Sequence, residues 1–244
     1  MMLDNSAVMV VPVQFGTRII AREAIIQAEN AFSSLRMNRK ILLILTAALA
    51  AGLGLALSVA VFKPALPAKS LPVLATAKVI DSPRALPPFQ LQSASGPMTA
   101  EQLKGHWTVV FVGFTHCPDV CPTALTDMAR AQALWAKAEL PAKPKLLFVS
   151  VDPERDTPEK IAEYAAFFHK DTVTATAAEP QLAEFTRALG LVYMKVPQGD
   201  SYTMDHSTTL VLLNPKAEFA GIIRPPLKPE AIGADLIALA KAHP

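Results

Sequence analysis

The two cysteines of this 244-residue chain, Cys117 and Cys121, lie four positions apart in the stretch FTHCPDVCP. On a helix, residues at i and i+4 share one face, so both sulfur atoms can converge on one atom or bond to each other. A disulfide, a redox-active dithiol and a metal site are all compatible with this spacing. A bridge across so short a loop stabilises a fold least through chain entropy, which makes a purely structural disulfide the weakest interpretation.

A metal site needs a further ligand, and the chain has five histidines. His206 has the most suggestive context, because it follows Asp205 in DSYTMDHSTT and directly precedes an apolar run. If the strand after His206 neighbours the strand before the cysteines, the imidazole can face the two sulfur atoms. His116, next to Cys117, is expected to point elsewhere. The other histidines are typical of surface or packing positions.

Apolar runs that alternate with helix-forming segments predict the frame that holds these residues. Strands are predicted over Thr108 to Thr115, Lys145 to Val151, Leu191 to Val196, Thr208 to Leu213 and Glu218 to Ile223, and helices over Ala124 to Leu140, Thr157 to Phe168, Glu179 to Leu189 and Pro229 to Ala242. This order favours an α/β fold, a central mixed sheet with helices on both faces. Functional residues of such sheets gather at the carboxyl ends of parallel strands, where we expect Cys117 and Asp152.

An uncharged apolar run, Ile41 to Phe62, precedes this frame and is long enough to cross a hydrocarbon core of about 30 Å. It predicts a single N-terminal transmembrane helix rather than a cleaved signal peptide, whose apolar region is only about 7 to 15 residues long. Arg36, Arg39 and Lys40 precede the run. This excess of cations predicts that residues 1–40 are cytoplasmic and that the rest of the chain lies outside.

The remaining segments differ in composition. Because MNRK at 37–40 is typical of a short basic leader, we expect translation to start at Met37, so that residues 1–36 are not translated. Residues 63–84, rich in proline, alanine and lysine, are predicted to form an extended tether. Residues 85–244 are predicted to form one domain. Basic and acidic residues are equally numerous after residue 62, so we expect no nucleic-acid partner.

Three motifs resemble those of the Sco/SenC copper-binding proteins, membrane-anchored relatives of thioredoxin that help to assemble cytochrome c oxidase. They are FVGFTHCPDVCP at Phe111 to Pro122, VDPERDTP at Val151 to Pro158, and YTMDHS at Tyr202 to Ser207, in the order found in the family. The resemblance covers about Leu86 to Ala242 and implies a thioredoxin-like mixed sheet with flanking helices. Residues Asp171 to Pro180 depart from the family, because they lack its usual strand end.

The resemblance implies that Cys117, Cys121 and His206 bind copper, and that the two cysteines also form a redox-active disulfide. Two thiolates and one imidazole suit Cu(I) and can also hold Cu(II). Asp119 and the loop Asp152 to Asp156 match family motifs as well. Hard carboxylates suit Cu(I) poorly, so we expect none of them to be a copper ligand, and we expect a structural or partner-docking role for the loop. Asp205 is expected to orient His206 or to cap the loop.

The implied function is that of a metallochaperone rather than an enzyme: delivery of copper to the dinuclear copper centre of cytochrome c oxidase subunit II. The implied location is the inner (cytoplasmic) membrane, with the copper domain on the periplasmic side and other periplasmic copper carriers as further partners. The alternative is a thiol-disulfide oxidoreductase acting on cysteines of that subunit or of other extracytoplasmic proteins. Two features favour metal binding. Three residues separate Cys117 from Cys121, whereas thioredoxin-like oxidoreductases resemble one another in having two residues between their cysteines. His206 is expected at the loop opposite the cysteines, where those oxidoreductases have a proline.

Overall fold

The computed structural model describes residues 39–61 and 72–242 of the chain, which divides into two compact units, Met1–Ala68 and Lys69–Pro244. In the first unit, Arg39–Val61 forms a helix, α1. No helix within the described residues is both long and apolar enough to cross a membrane. The span over Ile41 to Phe62 stays a prediction from the sequence. The expectations for residues 1–38, for Phe62 at the end of the predicted span and for the first part of the tether, 63–71, lie outside the described residues.

The second unit is a mixed α/β fold. Its strands are β1 (Ala77–Arg84), β2 (Leu91–Ser93), β3 (Gly96–Met98), β4 (Thr108–Gly113), β5 (Lys145–Ser150), β6 (Val173–Ala175), β7 (Tyr193–Gln198), β8 (Ser201–His206), β9 (Leu210–Leu213) and β10 (Phe219–Ile223). Its helices are α2 (Val120–Lys137), α3 (Pro158–Phe168), α4 (Gln181–Ala188) and α5 (Pro229–Ala242), with a 3-10 turn at Ala100–Leu103. Six strands form the main sheet in the order β1-β10-β9-β4-β5-β6.

Strands β4 and β5 form the centre of this sheet. Almost every residue of TVVFVG and KLLFVS is buried, as expected of strands covered on both faces. The two strands run parallel with Phe111 opposite Phe148, whose rings stack at 5.7 Å. Their carboxyl ends therefore meet at one edge of the sheet. The cysteine motif follows β4 at that edge, and the loop Asp152 to Asp156 follows β5, so the predicted convergence of these two segments is confirmed.

Strand β1 occupies the last part of the segment predicted as a tether, residues 63–84, so this prediction was wrong for residues 77–84. Residues 77–84 pair with β10 at the edge of the main sheet, so the folded domain begins before residue 85. Asp235 of α5 holds the start of this strand, because its carboxylate accepts hydrogen bonds from three backbone amides and one hydroxyl of residues 75–77. The composition was misleading because an edge strand needs few apolar residues and tolerates a proline, here Pro83.

Strands β7 and β8 form an antiparallel hairpin of their own, separate from the main sheet. The sequence predicted only the first of them, with shifted bounds, and placed His206 in a loop. The structure makes His206 the last residue of β8. This strand was missed because SYTMDH is polar and only Met204 in it is buried. The short strands β2, β3 and β6 were also missed, and β6 lies in the segment where the family resemblance was weakest.

Candidate metal centre

Three separate elements bring Cys117, Cys121 and His206 together. Cys117 lies in the loop after β4, Cys121 in the first turn of α2, and His206 at the end of β8. Their two sulfur atoms and one imidazole nitrogen all lie within 4.8 Å of one another. The Cys121 Sγ is 3.4 Å from the His206 Nε2, and the Cys121 amide donates a hydrogen bond to the Cys117 Sγ at 3.3 Å. The structure thus assembles all three residues that the sequence singled out.

The two cysteines differ in exposure. Cys121 is fully buried, whereas Cys117 is half-buried at the edge of the core. Burial raises the pKa of the Cys121 thiol, and its hydrogen bond with Cys117 raises it further. Both residues are free thiols in the structure. A soft metal ion that binds here must therefore displace the Cys121 proton, which makes metal affinity dependent on pH.

The backbone of Gly113 leaves room for the buried sulfur. A β-carbon at this position would lie 2.8 Å from the Cys121 Sγ and 2.8 Å from Cε2 of Phe148. Only glycine at the end of β4 lets the sulfur pack this closely against the strand. Sequence reasoning did not single out this residue, although its place in FVGFTHC between a buried strand and the cysteine loop was a usable signal.

The imidazole of His206 has a defined orientation. Its Nδ1 donates a hydrogen bond to the Ser207 carbonyl at 3.1 Å, which leaves the lone pair of Nε2 facing the Cys121 sulfur. The rings of Phe111 and Phe114 lie edge-on to it, with centroids 6.2 and 6.0 Å away. Burial lowers the pKa of His206, so the neutral form that binds metals is favoured.

Asp205 does not have the predicted orienting role. The hydrogen-bond partner of the His206 Nδ1 is the Ser207 carbonyl, and the exposed Asp205 acts on the imidazole through its charge, which favours protonation. The reason is the alternation of side chains along β8, which puts neighbouring residues on opposite faces of the strand. A backbone carbonyl as the partner of a ligand imidazole could not be read from residue types.

Asp156 holds the loop that carries Cys117 through hydrogen bonds. This fully buried carboxylate accepts hydrogen bonds from the Thr115 amide at 2.8 Å, the Thr115 hydroxyl at 2.5 Å and the Ser150 hydroxyl at 2.6 Å. It therefore joins the end of β5 to the loop after β4, and its contact in that loop, Thr115, lies two residues before Cys117. Of the two roles predicted for the loop Asp152 to Asp156, structural or partner-docking, these contacts give Asp156 a structural one.

His116, Asp152 and Asp156 form a second group whose ligand atoms lie within 4.8 Å of one another. Its carboxylates already face cations: the Lys160 Nζ is 3.8 Å from Asp156, and the Arg155 Nε is 2.5 Å from Asp152. This group is an ion-pair network, and His116 belongs to it rather than to the thiols. Asp119 is exposed at the start of α2, and its side chain caps no backbone amide of that helix in the described structure.

Comparison with known proteins gives one consistent result. The SCO1/SenC family model matches residues 78–241. A protein of Stutzerimonas stutzeri whose name describes it as copper-binding is 35% identical over 147 residues, which cover 59% of this chain and 72% of that protein. Protein SCO1 homolog 1, mitochondrial, of Arabidopsis thaliana is 36% identical over 135 residues, which cover 54% of this chain but only 40% of the plant protein.

Solved structures agree with the sequence matches. The copper-bound structure of ScoI from Bradyrhizobium japonicum superimposes with a TM-score of 0.58 at 34% identity, covering 63% of this chain and 98% of that structure. The residues that the family model matches, 78–241, lie in the second unit, which contains the three converging residues.

Proposed function

This chain belongs to the SCO1/SenC family, and from that premise we propose that it binds one copper ion through Cys117, Cys121 and His206. The observation that carries this proposal is the convergence of two sulfur atoms and one imidazole nitrogen within 4.8 Å. Two thiolates and a neutral imidazole are soft to intermediate ligands, the set that Cu(I) prefers and Cu(II) tolerates. The choice of metal is supported by the copper-binding name of the Stutzerimonas stutzeri protein and by the copper-bound structure of Bradyrhizobium japonicum ScoI.

The geometry suggests how such an ion is held and passed on. Binding displaces the buried Cys121 proton, while the hydrogen bond to Ser207 keeps the His206 Nε2 lone pair aimed at the site. Cys117 and His206 are each half-buried, so a ligand of another protein can approach from the exposed side. Copper can then change partners one ligand at a time while Cys121 remains in place.

We further propose that the recipient is the dinuclear copper centre of cytochrome c oxidase subunit II, and that other periplasmic copper carriers exchange metal with this site. Membership of the family supports this choice of recipient. The uncharged run 41–62 supports a position at the inner membrane, with the copper domain on the periplasmic side. Fractionation of cells, followed by protease treatment of intact spheroplasts, tests the location: protection of the copper domain from protease would contradict it.

The ligand set is tested with the full chain purified in detergent and reduced. We expect one copper per chain in the wild type, loss of binding in Cys117→Ser and Cys121→Ser, and weakened binding in His206→Ala. In cells that depend on this gene, the same variants should lower the activity of the copper-containing oxidase. Full copper affinity and full oxidase activity in His206→Ala would overturn the proposed mechanism.

Thiol-disulfide exchange is the second candidate function, and the closeness of the Cys117 and Cys121 sulfur atoms favours it. The raised pKa of Cys121 argues against a resident thiolate at that position, so Cys117 would have to be the attacking sulfur. His206→Ala separates the two functions. If this variant loses copper delivery but still reduces a disulfide in a subunit II substrate, the metal function and the thiol function are distinct.

A further inference from the structure

The hairpin that carries His206 has no backbone pairing to the main sheet. Among the strands of the described residues, β7 and β8 pair only with each other, and β9 rejoins the main sheet four residues after His206. The distance between the imidazole and the cysteines is therefore not set by strand register alone. Side-chain contacts between the hairpin and the rest of the domain must contribute to it.

Arg155 makes the most extensive of these contacts. Its Nη1 donates a hydrogen bond to the backbone carbonyl of Tyr202 on β8 at 3.0 Å, and its Nε donates to Asp152 Oδ2 at 2.5 Å. Its guanidinium carbon lies 3.7 Å from the centroid of the Tyr202 ring. The Tyr202 hydroxyl donates a hydrogen bond to Asp152 Oδ1 at 2.8 Å, so Arg155, Asp152 and Tyr202 form one closed hydrogen-bond network. Arg155 thus joins the loop after β5 to the strand that ends in His206.

The groups of this network are largely shielded from solvent. Asp152 is 2% exposed, both of its oxygen atoms accept hydrogen bonds, and the Arg155 side chain is 22% exposed. Charge-assisted hydrogen bonds of this kind are shorter and stronger than neutral ones. A second cation, Lys195 of β7, lies with its Nζ 3.9 Å from the centroid of the Tyr202 ring and 2.6 Å from the Glu154 carboxylate. That ion pair is exposed, and exposed pairs contribute little.

The alternation of side chains along β8 links the contacts of Arg155 to the position of the His206 imidazole. Tyr202, Met204 and His206 share one face of the strand, and Met204 between them is buried. Tyr202 and His206 are separated by roughly 13 Å of extended backbone. Fixing the carbonyl and the ring of Tyr202 therefore fixes the direction of the strand and the face on which the imidazole lies.

We propose that Arg155 is a positioning residue for the third copper ligand. By holding β8 against the loop after β5, it sets the distance between the His206 Nε2 and the Cys121 sulfur. The inference rests on the proposed function only in requiring that His206 binds copper. It assigns to VDPERDTP a role in copper affinity, although none of its residues is one of the three proposed ligands.

The test is a double-mutant cycle on the purified, reduced full chain. The variants are Arg155→Gln, His206→Ala and the two combined, and the measurement is Cu(I) affinity by competition with a chromophoric chelator. We expect Arg155→Gln alone to weaken binding by about 10- to 100-fold, the range found when groups that orient a metal ligand are removed. In the His206→Ala background the same change should alter affinity by less than about twofold, because the two effects act through one ligand. Equal losses in both backgrounds would overturn the proposal.

A spectroscopic readout and a matched control complete the experiment. With Cu(II), the nitrogen splitting in the electron paramagnetic resonance spectrum should weaken in Arg155→Gln and vanish in His206→Ala. Lys195→Gln, which removes the other cation on the Tyr202 ring, should leave both readouts close to wild type. If Arg155→Gln does not fold, as judged by circular dichroism, Arg155→Lys enters the same cycle, since lysine keeps the charge but lacks the planar fork that donates to Asp152 and Tyr202 at once.

The outcomes separate the two proposals. Unchanged affinity in His206→Ala would contradict the proposed ligand set, and with it the role of Arg155. Weakened binding in His206→Ala with unchanged binding and an unchanged spectrum in Arg155→Gln would keep the ligand set and overturn only the positioning role.

Discussion

A single missing β-carbon at Gly113 decides where the sulfur of Cys121 lies. Because the sulfur is fully buried and in close contact with the end of β4, its position is fixed before any metal arrives. Cys117, four residues earlier and half-buried, has more freedom. At this scale the site combines one fixed ligand, one accessible ligand, and an imidazole whose orientation depends on the Ser207 carbonyl.

Gly113→Ala should therefore damage the copper site. The new methyl group would overlap the Cys121 sulfur and the Phe148 ring, so we expect copper affinity to fall at least tenfold and stability to fall by about 1–3 kcal/mol. Chelator competition and urea unfolding measure the two effects. Gly221→Ala is the matched control, because its methyl group would meet the backbone of Lys78 and Val79 where β10 pairs with β1, and none of the three ligands. It should lower stability but not copper affinity. Wild-type affinity in Gly113→Ala would contradict the prediction.

Asp156→Asn should loosen the loop that carries Cys117. Its carboxylate accepts three hydrogen bonds, and an amide in its place would turn a donor toward one of the present donors. We expect a loss of about 1–3 kcal/mol in the free energy of unfolding and faster hydrogen exchange at the Thr115 amide. Asp119→Asn, an exposed carboxylate of the same loop, should change neither quantity measurably. Equal exchange rates in wild type and Asp156→Asn would show that this carboxylate does not hold the loop.

Among the elements, those with a strong pattern were predictable and those held by their neighbours were not. Strands β4 and β5 are continuous apolar runs, and α3 begins with the N-cap Thr157 and Pro158, so both the strands and the start of the helix followed from sequence. Strands β1 and β8 lack such patterns. β1 exists because β10 and Asp235 hold it, and β8 because β7 pairs with it. The candidate ligands were identified from residue types and family motifs, but their convergence depends on β8, which the sequence did not reveal.

The attachment of β1 to α5 should depend on pH. Burial alone would raise the pKa of Asp235, but hydrogen bonds from Thr76 and from the backbone of residues 75–77 outweigh it and hold this pKa below the ordinary value of 3.8. Its stabilising contribution is therefore complete above pH 3.8 and is lost as the pH falls through the lower pKa of the folded state. Asp235→Asn should cost about 1–3 kcal/mol at pH 7 and progressively less in acid.

Urea unfolding of both proteins across the acidic range measures this difference. Asp81→Asn, on the exposed part of β1, is the control and should stay within about 0.5 kcal/mol of wild type at every pH. A stability difference for Asp235→Asn that does not shrink in acid would show that the lost hydrogen bonds do not depend on the charge of the carboxylate.

For the whole molecule, copper should act as a cross-link between parts that the fold joins only loosely. One ion bound by Cys117, Cys121 and His206 ties the loop after β4 and helix α2 to the separate hairpin. At a free Cu(I) concentration 100 times Kd, binding adds about 2.7 kcal/mol to the free energy of unfolding. For a chain of this size that corresponds to a rise in Tm of roughly 5–10 °C. Differential scanning calorimetry of the reduced full chain measures it.

The double variant Cys117→Ser/Cys121→Ser is the control and should show no rise in Tm with Cu(I). A rise equal to that of wild type would place the stabilising copper elsewhere in the chain. In the wild type, amide exchange in β7 and β8 should slow more on copper binding than exchange in β4 and β5, because the central strands are already buried.

The two-residue turn of the hairpin selects the chemistry of the site. Gly199, at φ +58°, lets Gln198 face Ser201 across the turn, and this register leaves Tyr193 opposite His206. A slip of one residue would turn every side chain of β8 to the other face. The thiols would then meet the carboxylate of Asp205 in place of the imidazole, and a site suited to a soft cation would become one with a hard oxygen donor. The metal preference of this protein is therefore encoded in the length of a turn as well as in the identity of its ligands.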